Sequence, residues 1–165
     1  MAYSFPSCPM EITQTSFGPK RYLAAKKSIS IGEISNKDMY DLAYARLFGY
    51  LGQHGVGVDG PAAVLYFTWD EAKGTTDIAI CVPVSGIEAI DDPDLELINI
   101  PATPAVMGVL HGSYDGLKAG HDEIHAYIKA NNLPSEGPAI EEYVTDPMTV
   151  KDPSQLITNL YYLAK

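Results

Sequence analysis

The side chains best suited to chemistry lie late in this chain, within Gly137-Pro138-Ala139-Ile140-Glu141-Glu142-Tyr143-Val144-Thr145-Asp146-Pro147. Gly-Pro opens the stretch, β-branched and aromatic residues fill it, and Asp-Pro closes it, which is the pattern of a strand between two turns. Successive strand residues point to opposite faces, so Glu141 and Glu142 cannot both reach solvent where one face is buried. A carboxylate taken out of water needs partners. The rest of the chain is expected to build a pocket around it. Alternation puts Tyr143 and Thr145 on the Glu141 face. Glu142 is the weaker candidate, with a side chain expected to escape at the helix edge.

Two further constellations invite a chemical reading. His121-Asp122-Glu123-Ile124-His125 sets two histidines one helical turn apart, but Asp122 stands where a metalloprotease has its catalytic glutamate, and no third ligand is evident. No metal site is expected; both histidines are read as packing positions. Cys8 and Cys81 form neither a disulfide framework nor a metal-binding spacing. Trp69, just before an acidic turn, reads either as a hairpin-tip contact or as a wall of a pocket mouth.

An internal repeat positions these residues. Gly60-Pro61-Ala62-Ala63-Val64-Leu65-Tyr66-Phe67-Thr68 lines up with Gly137 to Thr145, with Gly, Pro, Ala, Tyr and Thr coinciding. Carried backwards, the same offset superposes Leu47 on Ile124, Tyr50 on Tyr127 and Leu51 on Ile128, which respects helical spacing. One domain over residues 1–165 is expected, with repeats at about 11–86 and 95–164. Strands are expected at 11–15, 21–28, 63–69, 77–84, 97–101, 105–111, 140–145 and 156–163, and helices at about 37–53 and 115–130. Each unit reads β-α-β-β, so the fold class is α+β: a duplicated unit forming one antiparallel sheet with two helices.

The copies disagree where it matters. Val64 and Leu65 occupy the positions of Glu141 and Glu142, so only the second copy places charge there. Leu65, Phe67 and Val144 are expected to face the helices. The Glu141 face, lined with tyrosine, is then the sheet surface short of covering helices, where a ligand would sit.

Composition excludes several function classes. A net charge of −10 disfavours nucleic acid, whose affinity depends on neutralising phosphates; it favours cations near the surface. The basic cluster Lys20, Arg21, Lys26 and Lys27 reads as a solvated strand edge. No run reaches membrane-spanning length. The start lacks the basic and apolar segments of a signal peptide, so a cytoplasmic protein with reduced cysteines is expected.

The duplicated unit, Gly-Pro before the third strand, Glu141-x-Tyr143 followed by Asp146-Pro147, and His111-Gly112-Ser113-Tyr114 entering the second helix together resemble the GyrI-like small-molecule-binding family. The likeness runs from about residue 11 to 165. The same fold forms the effector-binding domains of multidrug-responsive MerR-type and AraC-type regulators. No helix-turn-helix region precedes the domain, so a stand-alone member is expected, with no nucleic-acid binding of its own. The resemblance implies an aromatic pocket between the repeats in which a glutamate receives hydrophobic cations, with no cofactor. Glu141 stands at that position, with Tyr143 beside it, Tyr66 from the other repeat, Tyr114 at the helix entry and Tyr161 or Tyr162 on the closing strand. That strand departs from the family in lacking an acidic residue after Thr158 and a late proline. Some stand-alone members are similar in being hydrolases of reactive cyclopropane-containing compounds, where Glu141 would be the base. Gyrase-inhibiting members imply a third role, a protein partner held by the acidic surface.

Overall fold

The computed structural model describes residues 10–146 and 149–165; Cys8 and Pro147, invoked above, lie outside the described residues. The strands are β1 (Ile12–Phe17), β2 (Lys20–Ser30), β3 (Ala63–Tyr66), β4 (Thr75–Pro83), β5 (Glu96–Ile100), β6 (Thr103–His111), β7 (Ala139–Tyr143) and β8 (Ile157–Leu163). Two helices, α1 (Lys37–His54) and α2 (Leu117–Ala130), complete the fold. Asn36 starts α1 by accepting a hydrogen bond from the Asp38 backbone N–H at 3.1 Å. A 3-10 turn, Tyr114–Gly116, takes the residues expected to open α2. β3 is shorter than expected: beyond Tyr66 the chain turns at Asp70 and Thr75, which exchange backbone hydrogen bonds.

All strands join one antiparallel sheet in the order β1-β6-β8-β7-β3-β4-β2-β5. The order reads alike from either edge once β1–β4 are exchanged with β5–β8, as a duplicated unit requires. Each half nevertheless surrenders its first strand: β1 pairs with β6 of the other half, and β5 with β2. The unit is thus β-β-α-β-β with its leading strand exchanged, an arrangement the repeat alignment does not reveal. The sheet curls, because Gly18 and Pro19 alone connect β1 to β2 although these strands lie near opposite edges. A Cβ at Gly18 would come within 2.9 Å of the Ile100 and Pro101 carbonyl oxygens, so the closure needs glycine.

Each face has its own core. On one, α1 buries Ala43, Leu47 and Leu51 against Leu23, Val64 and Ile80, and α2 buries Ile124 and Ile128 against Val106, Leu160 and Tyr162. On the other, inside the curl, Phe17, Tyr22, Leu65, Ile140 and Leu163 pack together without a helix. This reverses the expected facing. Val64 and Glu141 lie under the helices, whereas Leu65 belongs to the inner face and Phe67 and Val144 are exposed. The curl supplies the reason: a sheet that folds onto itself buries its inner face without helices. Within the basic cluster, Lys20 and Arg21 pair with β5 alone, while Lys26 and Lys27 pair with β4 alone beyond the end of β5 and are exposed, as a solvated strand edge requires. No helix among the described residues is long and apolar enough to cross a membrane.

Leu47 is fully buried where α1 meets the sheet. Leu47→Ala should cost about 3 kcal/mol, seen as a lower denaturant midpoint with unchanged m-value; a loss within experimental error would show that this contact does not anchor α1.

Candidate functional site

The centre of the sheet is the β3–β7 pairing, in register Ala63↔Glu142, Val64↔Glu141 and Leu65↔Ile140. Val64 and Glu141, equivalent in the two halves, are also partners across the strands. The pseudo-two-fold axis therefore passes between them, with Tyr66 and Tyr143 as equivalent residues on either side. Both tyrosines turn their hydroxyls to one atom. Tyr143 donates to Glu141 Oε1 at 2.7 Å and Tyr66 at 3.2 Å.

The other carboxylate oxygen faces α2. His121 Nε2 lies 2.7 Å from Glu141 Oε2. The helix lies close to the sheet here: a Cβ at Gly120 would be 3.0 Å from Leu160 Cδ1. His121 Nδ1 in turn lies 2.7 Å from the Tyr162 hydroxyl, which lies 3.1 Å from His125 Nε2. Glu141, only 4% exposed, is thus satisfied by two phenols and an imidazole. No lysine or arginine pairs with it among the described residues.

Rings enclose this carboxylate. Tyr66 meets His121 edge-on at 6.3 Å and Trp69 at 6.5 Å, while Tyr143 meets Tyr114 at 5.6 Å. Trp69, 49% exposed, and Tyr114, 36% exposed, form the rim. From α1, Tyr44 donates to the Ala63 carbonyl at 3.0 Å. Burial and then the Glu141 charge raise the Tyr66, Tyr143 and Tyr162 phenols well above their ordinary range, and push Tyr40 on α1 up to about 12. Burial also raises Tyr44. All are held as protonated hydrogen-bond donors.

The sequence-predicted residues divide by face. Glu141, Tyr143, Tyr66, Tyr114, Tyr162 and Trp69 come together, linked by hydrogen bonds or ring contacts. Tyr161 does not: alternation along β8 sends it to the inner face, where its ring lies 4.8 Å from that of Phe17. Glu142 also departs from expectation. It does not escape at an edge but is 5% exposed inside the curl, bound by Lys20 Nζ at 2.8 Å and Asn159 Nδ2 at 2.9 Å. The site likewise lies on the helix-covered face rather than the uncovered one.

Sequence reasoning passed over three residues here, His121, Tyr40 and Tyr44. The signal was present: the repeat alignment sets His121 opposite Tyr44, a position that looks from the helix onto the sheet. Among the described residues no three metal-ligating side chains converge. An open depression of about 530 Å³ against Arg46, Tyr50, Gln53 and Asp92 shares none of these residues, and Arg46 is already paired there with Asp92 at 2.8 Å.

With this geometry in view, the comparisons with known proteins give the class. The chain belongs to the GyrI-like small molecule binding domain family, whose model matches residues 10–164. No curated protein matches the sequence. Among solved structures it is similar to the C-terminal domain of EcmrR, with a TM-score of 0.73, 17% identity, and 93% of this chain and 96% of that one covered. It is also similar to SAV2435 bound to tetraphenylphosphonium, with a TM-score of 0.64, 15% identity and 94% of each chain covered. A hydrolase from Listeria innocua gives a TM-score of 0.58 at 11% identity, over 94% of this chain and 93% of that one. Against EcmrR in its DNA complex the TM-score is 0.75 at 15% identity, over 93% of this chain and 57% of that one. At these identities the likeness is one of fold.

The raised phenols have a consequence for alkaline stability. A group whose pKa is higher folded than unfolded stabilises the fold fully below the unfolded value and loses that contribution as pH rises past it. Stability measured by urea unfolding should therefore fall above about pH 10, with tyrosinate absorbance appearing as the fold is lost. Ionisation of all eleven tyrosines near pH 10 with the fold intact would contradict the network.

Proposed function

We propose that the domain binds or sequesters small hydrophobic cations, with Glu141 as the anchor and Tyr66, Tyr143, Tyr114, Tyr162 and Trp69 as the surrounding walls. One observation carries this reading. Glu141 is a buried carboxylate with no lysine or arginine partner among the described residues, held only by two neutral phenol hydroxyls and one imidazole. A buried charge satisfied only by such donors is a vacancy for a cation without strong donors of its own. Aromatic faces add about 0.5–2 kcal/mol each in cation attraction, and flat walls tolerate varied shapes. The fold shared with SAV2435, solved with the hydrophobic cation tetraphenylphosphonium, supports the same ligand class.

Removing the charge while keeping the shape tests the anchor. Glu141→Gln should weaken tetraphenylphosphonium on the order of tenfold or more, because a desolvated ionic contact is lost. Neutral aromatic compounds of similar size should be spared. Calorimetric titration of both ligand types decides the matter, and equal losses for the two would remove Glu141 from the anchor role.

A second reading rests on the imidazole against Glu141. A carboxylate bonded to histidine and flanked by phenols can take a proton from water and return one to a leaving atom, which suits a hydrolase acting on reactive cyclopropane-containing compounds. The fold shared with the Listeria innocua hydrolase fits this reading. It requires mass-spectrometric detection of product over many turnovers and abolition of turnover by Glu141→Gln.

A further inference from the structure

We propose that His121 is a built-in occupant of the cation site, which an entering ligand must exchange for itself with release of a proton; this rests on the cation-binding reading above. The geometry distinguishes the two carboxylate oxygens. Oε1 carries the two symmetry-equivalent phenols, both neutral donors. Among the described residues Oε2 carries only His121 Nε2, at 2.7 Å and with the His121 side chain 19% exposed. His121 is the one partner of Glu141 able to carry a positive charge, so it stands where a ligand's charge is wanted.

The bonds behind His121 give the proton a route. With neutral imidazoles, His125 Nε2–H donates to the Tyr162 oxygen, Tyr162 O–H donates to His121 Nδ1, and His121 Nε2–H donates to Glu141. With His121 protonated, both its N–H groups donate, Tyr162 turns its hydroxyl to His125 Nε2, and His125 carries its proton on Nδ1. Every bond survives the change. Since His125 is exposed on α2 while Glu141 is buried, the row joins the carboxylate to solvent.

The groups facing His121 leave its charge dependent on one residue. From β7 it meets Glu141, from β8 the Tyr162 hydroxyl and from β3 the edge of Tyr66; Tyr143 and, on α1, Tyr40 act on Glu141. On α2 itself, His125 shares Tyr162, while Asp122 acts on Tyr162 and accepts from Lys118 at 3.3 Å. Among the described residues, only Glu141 presents a carboxylate directly to the imidazole. Once a cation neutralises that carboxylate, no other described residue in contact with His121 favours its protonated form. The ring loses a proton to solvent by way of Tyr162 and His125. Binding thus becomes linked to pH in one direction: acid strengthens the occupant and weakens the ligand.

Calorimetric titration with tetraphenylphosphonium over the imidazole range, in buffers of different ionisation enthalpy, tests the exchange. For the wild-type chain Kd should rise by up to about tenfold per unit fall in pH, with release of up to one proton per ligand. His121→Phe, and His121→Gln as a variant that keeps a donor, should bind without proton release and with flat pH dependence, more tightly than wild type in acid. Equal pH slopes in wild type and both variants would overturn the role of His121 and leave the anchor role standing. Absence of binding by all three at every pH would overturn both. In the wild-type chain alone, a Kd independent of pH with no proton released on binding would also overturn the exchange, whether or not the His121 variants fold.

Discussion

One buried charge on an axis of approximate symmetry governs this molecule. A carboxylate at the middle of an eight-stranded sheet is costly unless its oxygens are bonded, and the neighbouring elements meet that demand. Duplication gives two tyrosines equal access to one oxygen, and the close approach of α2 at Gly120 gives a histidine access to the other. The apolar mate of Glu141, Val64, completes the pair without adding a second charge that would repel it. Symmetry builds the cradle, and its breaking at a single position fills it.

The two adjacent glutamates show how strand geometry separates roles. Glu141 and Glu142 are equally buried, yet one faces the helices and the other the interior of the curl. Glu142 has a lysine and an asparagine fixed upon it, so its charge is spent within the fold. Lys20, still 30% exposed, reaches Glu142 from the point where β2 begins, beside the turn that closes the curl. Glu141 has no such fixed cation among the described residues. Adjacent residues of identical chemistry thus become a structural ion pair and a candidate recognition group.

Much of this was legible in the residues because it depends on local periodicity. The duplication, the two helices, the strand carrying Glu141 and the grouping of Tyr66 with Tyr143 all follow from turns and alternation. What was not legible depends on long-range pairing. Which sheet face the helices cover cannot be read from alternation, since Leu65 and Val64 are both apolar and both fully buried. Tyr161 and Tyr162 were interchangeable on the same ground until pairing with β6 and β7 set their faces. His121 was set aside because its repeat mate Tyr44 suggested a packing position, although that same mate marks the row of the helix that faces the sheet.

The exchanged leading strands impose an order of events on the nascent chain. β1 is made first, yet its partner β6 is completed only after α1 and four further strands have been made. Until then the N-terminal half carries a strand with nowhere to bond, while β5 reaches back to β2 and delays that half's own edge. Contacts so distant in sequence close large loops and slow folding. Neither half can finish alone, so the central carboxylate acquires its walls only once the chain through β8 has been synthesised.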